Sequence, residues 1–380
     1  MDEWDPGMNV SGKVRNVIRT TAASRMAQTV RRKDKADRAT VELVLDPRTM
    51  TILRKMTNNG VFAKMYGCVS TGKEANVYSA EAPLEEWNEE RAKSRGSAAA
   101  VRGERSPGVS RTDVAIKIYK TSILVFKDRD RYVTGDYRFR NGYSKNPRKM
   151  VAMWAEKECR NLNRLRAAGI RCPKPLDLKL HVLVMEFVGE GSTAAPRLRD
   201  AQLTREQMRE AYLDMVLIIR TMYQTCRLVH GDLSEYNLLW HRGEIWVIDV
   251  SQAVDLDHPH ALTFLREDCS HVNAFFKRAG VATLNTRELF EFAVDPTINE
   301  ENLEETINAL MSISSARPVD ISAAQEVDDA VFHQAWIPRR LDEIAKYERD
   351  IDRGKRGEKQ EIYYQTITGM RDDLQGAQVR

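Results

Sequence analysis

Cysteine is scarce and never paired. The five in this 380-residue chain, Cys68, Cys159, Cys172, Cys226 and Cys269, are scattered, odd in number and nowhere spaced C-x-x-C. Neither a disulfide framework nor a thiolate zinc site is expected from them. They read as buried small hydrophobes in a reducing compartment. Long apolar runs are missing too: no stretch approaches the roughly 18 consecutive apolar residues that span a bilayer, so no transmembrane helix is expected. The opening "MDEWDPGMNV" lacks a basic segment followed by an apolar one, so no secretory signal is expected. Nor is either charge in marked excess, the formal net being +4.

What charge there is lies unevenly. Residues 13–38 hold nine Lys/Arg and two Asp, residues 91–111 hold six basic and one acidic residue, and residues 127–149 hold eight basic and three acidic. Three basic segments therefore sit on an acidic remainder. That is the electrostatic footprint of contact with a phosphate polymer, although a solvated loop or tail has the same composition. Residues 127–149 also interleave Tyr132, Tyr137, Phe139 and Tyr143 with the cations. This pattern suits stacking on RNA and equally suits a cover over a nucleotide site.

A hydrophobic content of 42% supports a globular body. Residues 1–47 read as a basic arm. "LDPRTMTILRKMTNNGV" reads as a helix with Asp46 as cap, Pro47 in its first turn and Asn58-Asn59-Gly60 at its end. "VFAKMYGCV" and "EANVYSAE" flank a Gly67–Gly72 loop as a hairpin, and "DVAIKIYK" and "HVLVMEFVG" are strands. The Ala/Ser/Gly/Arg-rich residues 82–112 read as an insertion. "PRKMVAMWAEKECRNLNRLRAAG" is a long helix from Pro147 to a stop at Gly169. After the Gly/Ala/Pro stretch that follows Val188, helices are expected over 204–227, 260–278, 286–293 and 300–314, with one short buried strand in "EIWVIDVS". The chain thus divides into the arm (1–47), a β-rich lobe with one long helix (48–188), an α-rich lobe (189–320) and an extended tail (321–380). The tail is too charged to bury a core of its own and is expected to dock as extended segments or stay disordered. The fold class is α+β and two-lobed.

The chemistry concentrates in "LVHGDLSEYNLLW", where Asp232 and Asn237 stand in the register H-G-D-x-x-x-x-N, followed by an apolar strand ending in Asp249. Phosphoryl transfer needs a group that orients the attacking hydroxyl and hard oxygen ligands that hold magnesium. Asp232 suits the first task, Asn237 and Asp249 the second. Turn residues alone rarely fall in this register between an amphipathic helix and an apolar strand. Lys117 follows V-A-I on a strand, the place of a phosphate-pairing lysine. Its partner is sought on the next helix, where Glu156 and Glu158 are candidates. Glu158 is preferred because Leu162, four residues on, puts it on the apolar face. "GCVSTGKEANVY" begins like a Walker loop, but Glu74 stands where a magnesium-binding Ser or Thr is needed and a strand follows instead of a helix. The stretch is better placed in a hairpin over phosphates, approached by backbone amides and Ser70 or Lys73.

Three features depart from an ordinary protein kinase: the G-x-G-x-x-G is incomplete, "IDVSQ" stands for D-F-G, and no A-P-E follows Asp249. "STGKEANVY", "AIKIYK", "NGYSKNPRKMV", "WAEKECRNL", "LVMEFVG", "LVHGDLSEYNLL" and "IDVSQAV" together resemble the RIO family of atypical serine/threonine kinases, in its first, eukaryotic subgroup. "WIPRRLDEIAKYERDID" also resembles that subgroup's C-terminal segment. The resemblance implies a two-lobed RIO kinase fold that binds ATP with magnesium, Lys117 on the phosphates, Asp232 as catalytic base and backbone groups of Glu186 and Val188 on the adenine. It implies transient phosphorylation of Asp249, and hence ATPase as much as kinase activity. It also implies cytoplasmic work on the pre-small ribosomal subunit, with neither membrane nor DNA as partner. A non-catalytic ATP-bound scaffold, or an RNA-binding assembly factor with a vestigial site, are the alternatives. The presence of Lys117, Asp232, Asn237 and Asp249 together favours catalysis. These four side chains are expected to converge around a triphosphate in the cleft that joins the lobes.

Overall fold

The computed structural model of the chain describes residues 44–83, 111–121, 131–132, 147–191, 193–317, 331–332 and 337. They belong to two compact units, bounded as Met1–Arg129, Asn141–Arg166 and Cys172–Ala195 for the first and Asp130–Arg140, Ala167–Arg171 and Pro196–Arg380 for the second. Most of the basic arm, residues 84–110 of the insertion and most of the tail lie outside the described residues.

In the first unit, the Asp46 carboxylate accepts from Thr49 N at 2.7 Å and caps helix α1 (Pro47–Asn58). A side-chain acceptor there satisfies one of the amides that a helix start leaves open, an interaction worth about 1 kcal/mol. The stripe Ile52, Leu53 and Met56 packs on the sheet with Val61, Phe62, Met65 and Tyr78. The sheet is antiparallel, in the order β1 (Lys64–Thr71), β2 (Ala75–Pro83), β3 (Arg111–Tyr119), β5 (Val182–Glu186), β4 (Pro175–Lys179). Alternation along β3 buries Ile116 and Ile118 in that core and turns Lys117 to the opposite face. Helix α2 (Pro147–Ala167) ends before Gly169, which takes φ +79.

Several expectations need correction. Gly67 is not part of a loop. Strand β1 runs through it to Thr71, bulged between Met65 and Cys68, and the turn is confined to Gly72–Glu74, where Gly72 N meets Ala75 O at 2.9 Å. A bulge absorbs one extra residue without ending the ladder, so the glycine marks a bend within the strand. The bulged outer strand also leaves Cys68 exposed and not buried, while Cys172, Cys226 and Cys269 are buried, Cys159 is half-buried, and all five are free. At the insertion, β2 continues to Pro83 and β3 begins at Arg111, so the two strands take both ends of 82–112. The hairpin β6 (Gly189–Glu190) with β7 (Thr193–Ala194) closes the unit, which therefore runs beyond residue 188 to Ala195. A Cβ at Gly189 would fall 2.2 Å from Thr193 O, so only glycine allows the two strands to close this tightly.

The second unit is built on helix α3 (Arg205–Gln224), opened by a capping box of Thr204 and Gln207. Its buried stripe, including Tyr212, Met215 and Ile219, packs against α4 (Ala261–Arg278) and α5 (Thr286–Val294). Arg220, nearly buried, donates to the carbonyls of Phe292, Asp295 and Ile298 at 2.5, 3.0 and 2.5 Å and so satisfies the carbonyls that the end of α5 leaves open. Helix α6 (Leu303–Ala316) follows. Two short antiparallel ladders, β8 (Leu228–Val229) with β11 (Val254–Asp255) and β9 (Leu238–His241) with β10 (Glu244–Val247), bracket the polar loops between them. Among the described tail residues, Phe332 is 1% exposed, its ring lies 5.5 Å from that of Phe290, and its carbonyl accepts from Arg266 at 2.5 Å.

Candidate active site

Lys117 and Glu158 meet in the first unit. Strand β3 pairs Lys117 with Val77 on one side and Leu183 on the other, which fixes the direction of its side chain. Its Nζ lies 2.7 Å from Glu158 Oε1, and the two side chains are 8% and 1% exposed. Glu158 belongs to the buried face of α2, with Val151, Trp154, Ala155 and Leu162. Glu156, the other candidate, is 59% exposed and faces Arg160 at 4.0 Å. A cation this deeply buried needs an anion beside it, because leaving either alone costs several kcal/mol, about 3–5. The Gly72–Glu74 turn is steadied by Lys120, whose Nζ donates to Gly72 O at 2.6 Å. Ser70 is half-buried at the end of β1 and Lys73 is exposed in the turn. At the end of β5, Glu186 N donates to Lys174 O, while Val188 O accepts from Ala195 N. Those bonds engage the Glu186 amide and the Val188 carbonyl, and not the Glu186 carbonyl or the Val188 amide.

Asp232, Asn237 and Asp249 gather in the second unit. Asn237 Nδ2 donates to Asp232 Oδ2 at 3.0 Å and to Asp232 O at 2.8 Å. Asn237 O accepts from Ile248 N at 3.0 Å, and His230 Nε2 lies 3.2 Å from Ile248 O, so the loop after β8 and the residue before Asp249 are bonded together. Asp249 takes φ +58, a left-handed conformation that Asp tolerates better than most residues, and its Oδ1 accepts from Ser251 Oγ at 3.1 Å. Burial pushes the Asp232 carboxyl above its ordinary value and the charge of Asp249 adds to the rise, against the lowering effects of His230 and the Asn237 hydrogen bond. The donor chemistry fits magnesium, which favours oxygen and keeps few protein ligands. With Nδ2 engaged by Asp232, the Oδ1 of Asn237 is the atom of that side chain that could ligate a cation. Among the described residues no group of three His, Cys, Asp or Glu could hold a metal. A cation here would draw its remaining ligands from phosphate and water.

Two further residues shape the loop: Asp268, which went unnoticed in the sequence, and Tyr132, which was noted there only as an aromatic among the cations of 127–149. Asp268, fully buried on α4, accepts from Gly231 N at 2.9 Å and Leu233 N at 2.8 Å. Burial pushes its carboxyl up to about 7, the two amides opposing and Asp232 and Glu267 assisting. An acid within the apolar stripe Phe264, Leu265, Cys269, Val272 was the available signal. Tyr132, from the basic segment 127–149, donates to Gly231 O at 3.1 Å and stacks on Phe264 with centroids 4.8 Å apart. At 8% exposure it is not open to a nucleic-acid base, and its partner in stacking is a phenylalanine of its own unit. Tyr137, Phe139 and Tyr143 lie outside the described residues.

An antiparallel sheet that presents a lysine to a helix glutamate, followed by a helical unit with an Asp–Asn–Asp oxygen set, defines an atypical kinase fold of the α+β class. The chain belongs to the RIO domain family, whose pattern matches residues 98–289, half of its length. It is 49% identical over 382 residues to the serine/threonine-protein kinase RIO1 of Homo sapiens, covering 98% of this chain and 63% of that protein. It is likewise 49% identical over 363 residues to rio1 of Dictyostelium discoideum, covering 95% of this chain and 58% of that one. The chain thus spans about 60% of the length of these curated relatives. A crystal structure of the Rio2 kinase–ADP/Mg2+–phosphoaspartate complex from Chaetomium thermophilum aligns at 18% identity and a TM-score of 0.45, covering 83% of this chain and 85% of that one.

Proposed function

We propose that this protein is an ATP- and magnesium-dependent atypical serine/threonine kinase with ATPase activity. The observation that carries the reading is the oxygen set of the second unit: Asp232 held by Asn237 at 3.0 Å, with Asp249 close enough to raise it. Two carboxylates close enough to feel one another's charge are suited to magnesium delivered with phosphate. The names of its relatives support the same reading. Lys117, oriented by Glu158, pairs with the phosphates. Ser70, Lys73 and the amides of the turn approach them, and the backbone of Glu186 and Val188 reads the adenine. Asn237 and Asp249 hold the metal, which when bound neutralises charge on the transferring phosphoryl group. Asp232 orients the acceptor hydroxyl or water and takes its proton.

In the hydrolytic branch, an Asp249 oxygen forms a bond to the γ-phosphorus as the bond to the β–γ bridging oxygen breaks and ADP leaves. Water then attacks the acyl phosphate, Asp232 takes the proton and inorganic phosphate departs. The work this serves is cytoplasmic maturation of the small ribosomal subunit. The family resemblance supports this, and so do the basic segments 13–38, 91–111 and 127–149, whose charge suits pre-ribosomal RNA.

Turnover of labelled ATP by the purified chain tests the reading. Asp232→Ala should lower turnover by at least about 100-fold while nucleotide still binds. Label trapped on the protein should be released by hydroxylamine, as an acyl phosphate is and a phosphoester is not. An Asp232→Ala protein that hydrolyses ATP at the wild-type rate overturns the role of Asp232, and hydroxylamine-stable label overturns that of Asp249.

A further inference from the structure

A peptide unit is planar, so a residue's orientation is set once the planes on both sides of it are held. The plane before Asp232 contains the Gly231 carbonyl, and the Tyr132 hydroxyl donates to it at 3.1 Å. The plane after Asp232 contains the Leu233 amide, which donates to Asp268 at 2.8 Å. Gly231 N, one plane further back, donates to the same carboxylate at 2.9 Å. The backbone around Asp232 is thus gripped by two side chains from far along the chain. One of them, Asp268, sits within a long helix. The other comes from a segment whose flanks, 122–130 and 133–146, lie outside the described residues.

Tyr132 is nonetheless well seated. Its ring stacks on Phe264 at 9° between planes, the neighbouring Arg131 lies 5.1 Å over the same Phe264 ring, and Arg131 pairs with Glu267 at 3.0 Å. Gly231 completes the fit. It takes φ +78, and a Cβ there would come within 3.3 Å of Tyr132 Cε1, so the tyrosine ring lies against bare backbone. Nothing in the nucleotide chemistry assigned above uses this hydroxyl.

We propose that Tyr132 is a positioning residue for Asp232, acting through the Gly231 carbonyl to hold the carboxylate where the acceptor hydroxyl or water arrives. The proposal rests on the role given to Asp232 above. It makes Tyr132 part of the catalytic loop's support, through its hydrogen bond to Gly231 O and its seat on Phe264.

Tyr132→Phe is the decisive variant, since it keeps the ring, the stack and the burial and removes only the donor. A single hydrogen bond of this kind is worth about 0.5–1.5 kcal/mol, so kcat for ATP turnover should fall roughly three- to ten-fold. The KM for ATP should stay unchanged, because the hydroxyl acts on the loop and not on the nucleotide. Amide exchange at Asp232 and Leu233 should quicken by a similar factor in the nucleotide-free protein, while amides of β1–β5 keep their wild-type rates. Unchanged kcat and unchanged exchange overturn the proposal, and so does a raised KM at constant kcat. If the wild-type chain itself turns over no ATP, the role of Asp232 fails, and the exchange measurement by itself shows whether the hydroxyl pins the loop. Tyr132→Ala, which also removes the stack, should exceed Tyr132→Phe in both readouts, and an effect no larger than that of Phe overturns the contribution of the ring.

Discussion

In the first unit a buried ammonium meets a buried carboxylate: Lys117 and Glu158 lie 2.7 Å apart, 8% and 1% exposed. In the second unit carboxylates are gathered near one another. Asp249 raises Asp232, and Asp232 in turn raises Asp268, with backbone amides, His230 and Asn237 as the opposing influences. Lys117 and Glu158 offset one another's charge, whereas Asp232, Asp249 and Asp268 bring like charges within one another's influence. A matched pair needs nothing further to be stable. Like charges held together cost stability and become favourable when a cation arrives. The contrast divides the expected effects of mutation by sign.

The largest effect belongs to the matched pair. Glu158→Ala leaves the Lys117 ammonium buried without its anion and should destabilise the first unit by about 3–5 kcal/mol, read by chemical denaturation. Replacing both partners, Lys117→Met with Glu158→Leu, should restore most of that stability, because the desolvation of both charges disappears with them. A double variant no more stable than Glu158→Ala would show that the pair is not the closed unit described here.

Second comes Asp268. Its carboxyl stands at about 7 in the folded chain, against an ordinary value of 3.8, chiefly through burial, with Asp232 and Glu267 facing it and the amides of Gly231 and Leu233 opposing. Between those two values the folded state binds a proton that the unfolded chain has released. Its contribution to stability is therefore full below about pH 4, declines as the pH rises towards 7, and is level beyond. In Asp268→Asn that pH-dependent part should vanish. Asparagine offers one oxygen to two amides, so a pH-independent loss of about 1–3 kcal/mol should remain. Denaturation of both proteins across pH 4–8 checks this, and parallel curves would refute it.

The two units also differ in how far the sequence revealed them. Helix α1 with its Asp46 cap and α2 with its Gly169 stop are local devices, each written within a few residues, and lie where their signals put them, while α3, read from its apolar spacing over 204–227, runs from Arg205 to Gln224. The Gly67 bulge was harder, because a glycine in a turn and a glycine in a bulged strand look alike without the partner strand. Lys117, Asp232, Asn237 and Asp249 were visible because chemistry constrains their spacing. The bonds of Asp268 and Tyr132 to Gly231 were not, since they reach across 37 and 99 residues: the apolar stripe could mark Asp268 as buried and the cations could mark Tyr132 as unusual, but no local pattern names the partner.

The smallest expected effect has the opposite sign. Asp249→Asn removes one of the neighbouring charges while keeping an Oδ1 that can accept from Ser251 Oγ. It keeps a residue type at ease at φ +58, since asparagine enters the left-handed region as readily as aspartate. In the nucleotide-free protein this variant should be slightly more stable than wild type, by about 0.5–2 kcal/mol, as expected where a site holds strain for function. On the proposed function the gain should disappear once magnesium and nucleotide are added, because a ligand that binds only the folded state adds stability in proportion to its affinity, and the variant lacks the carboxylate proposed to hold the metal. Melting temperatures with and without magnesium–nucleotide give both numbers. A variant less stable than wild type when free would mean that the contacts of the Asp249 carboxylate outweigh its repulsion of Asp232, and the contrast between the two sites would fall.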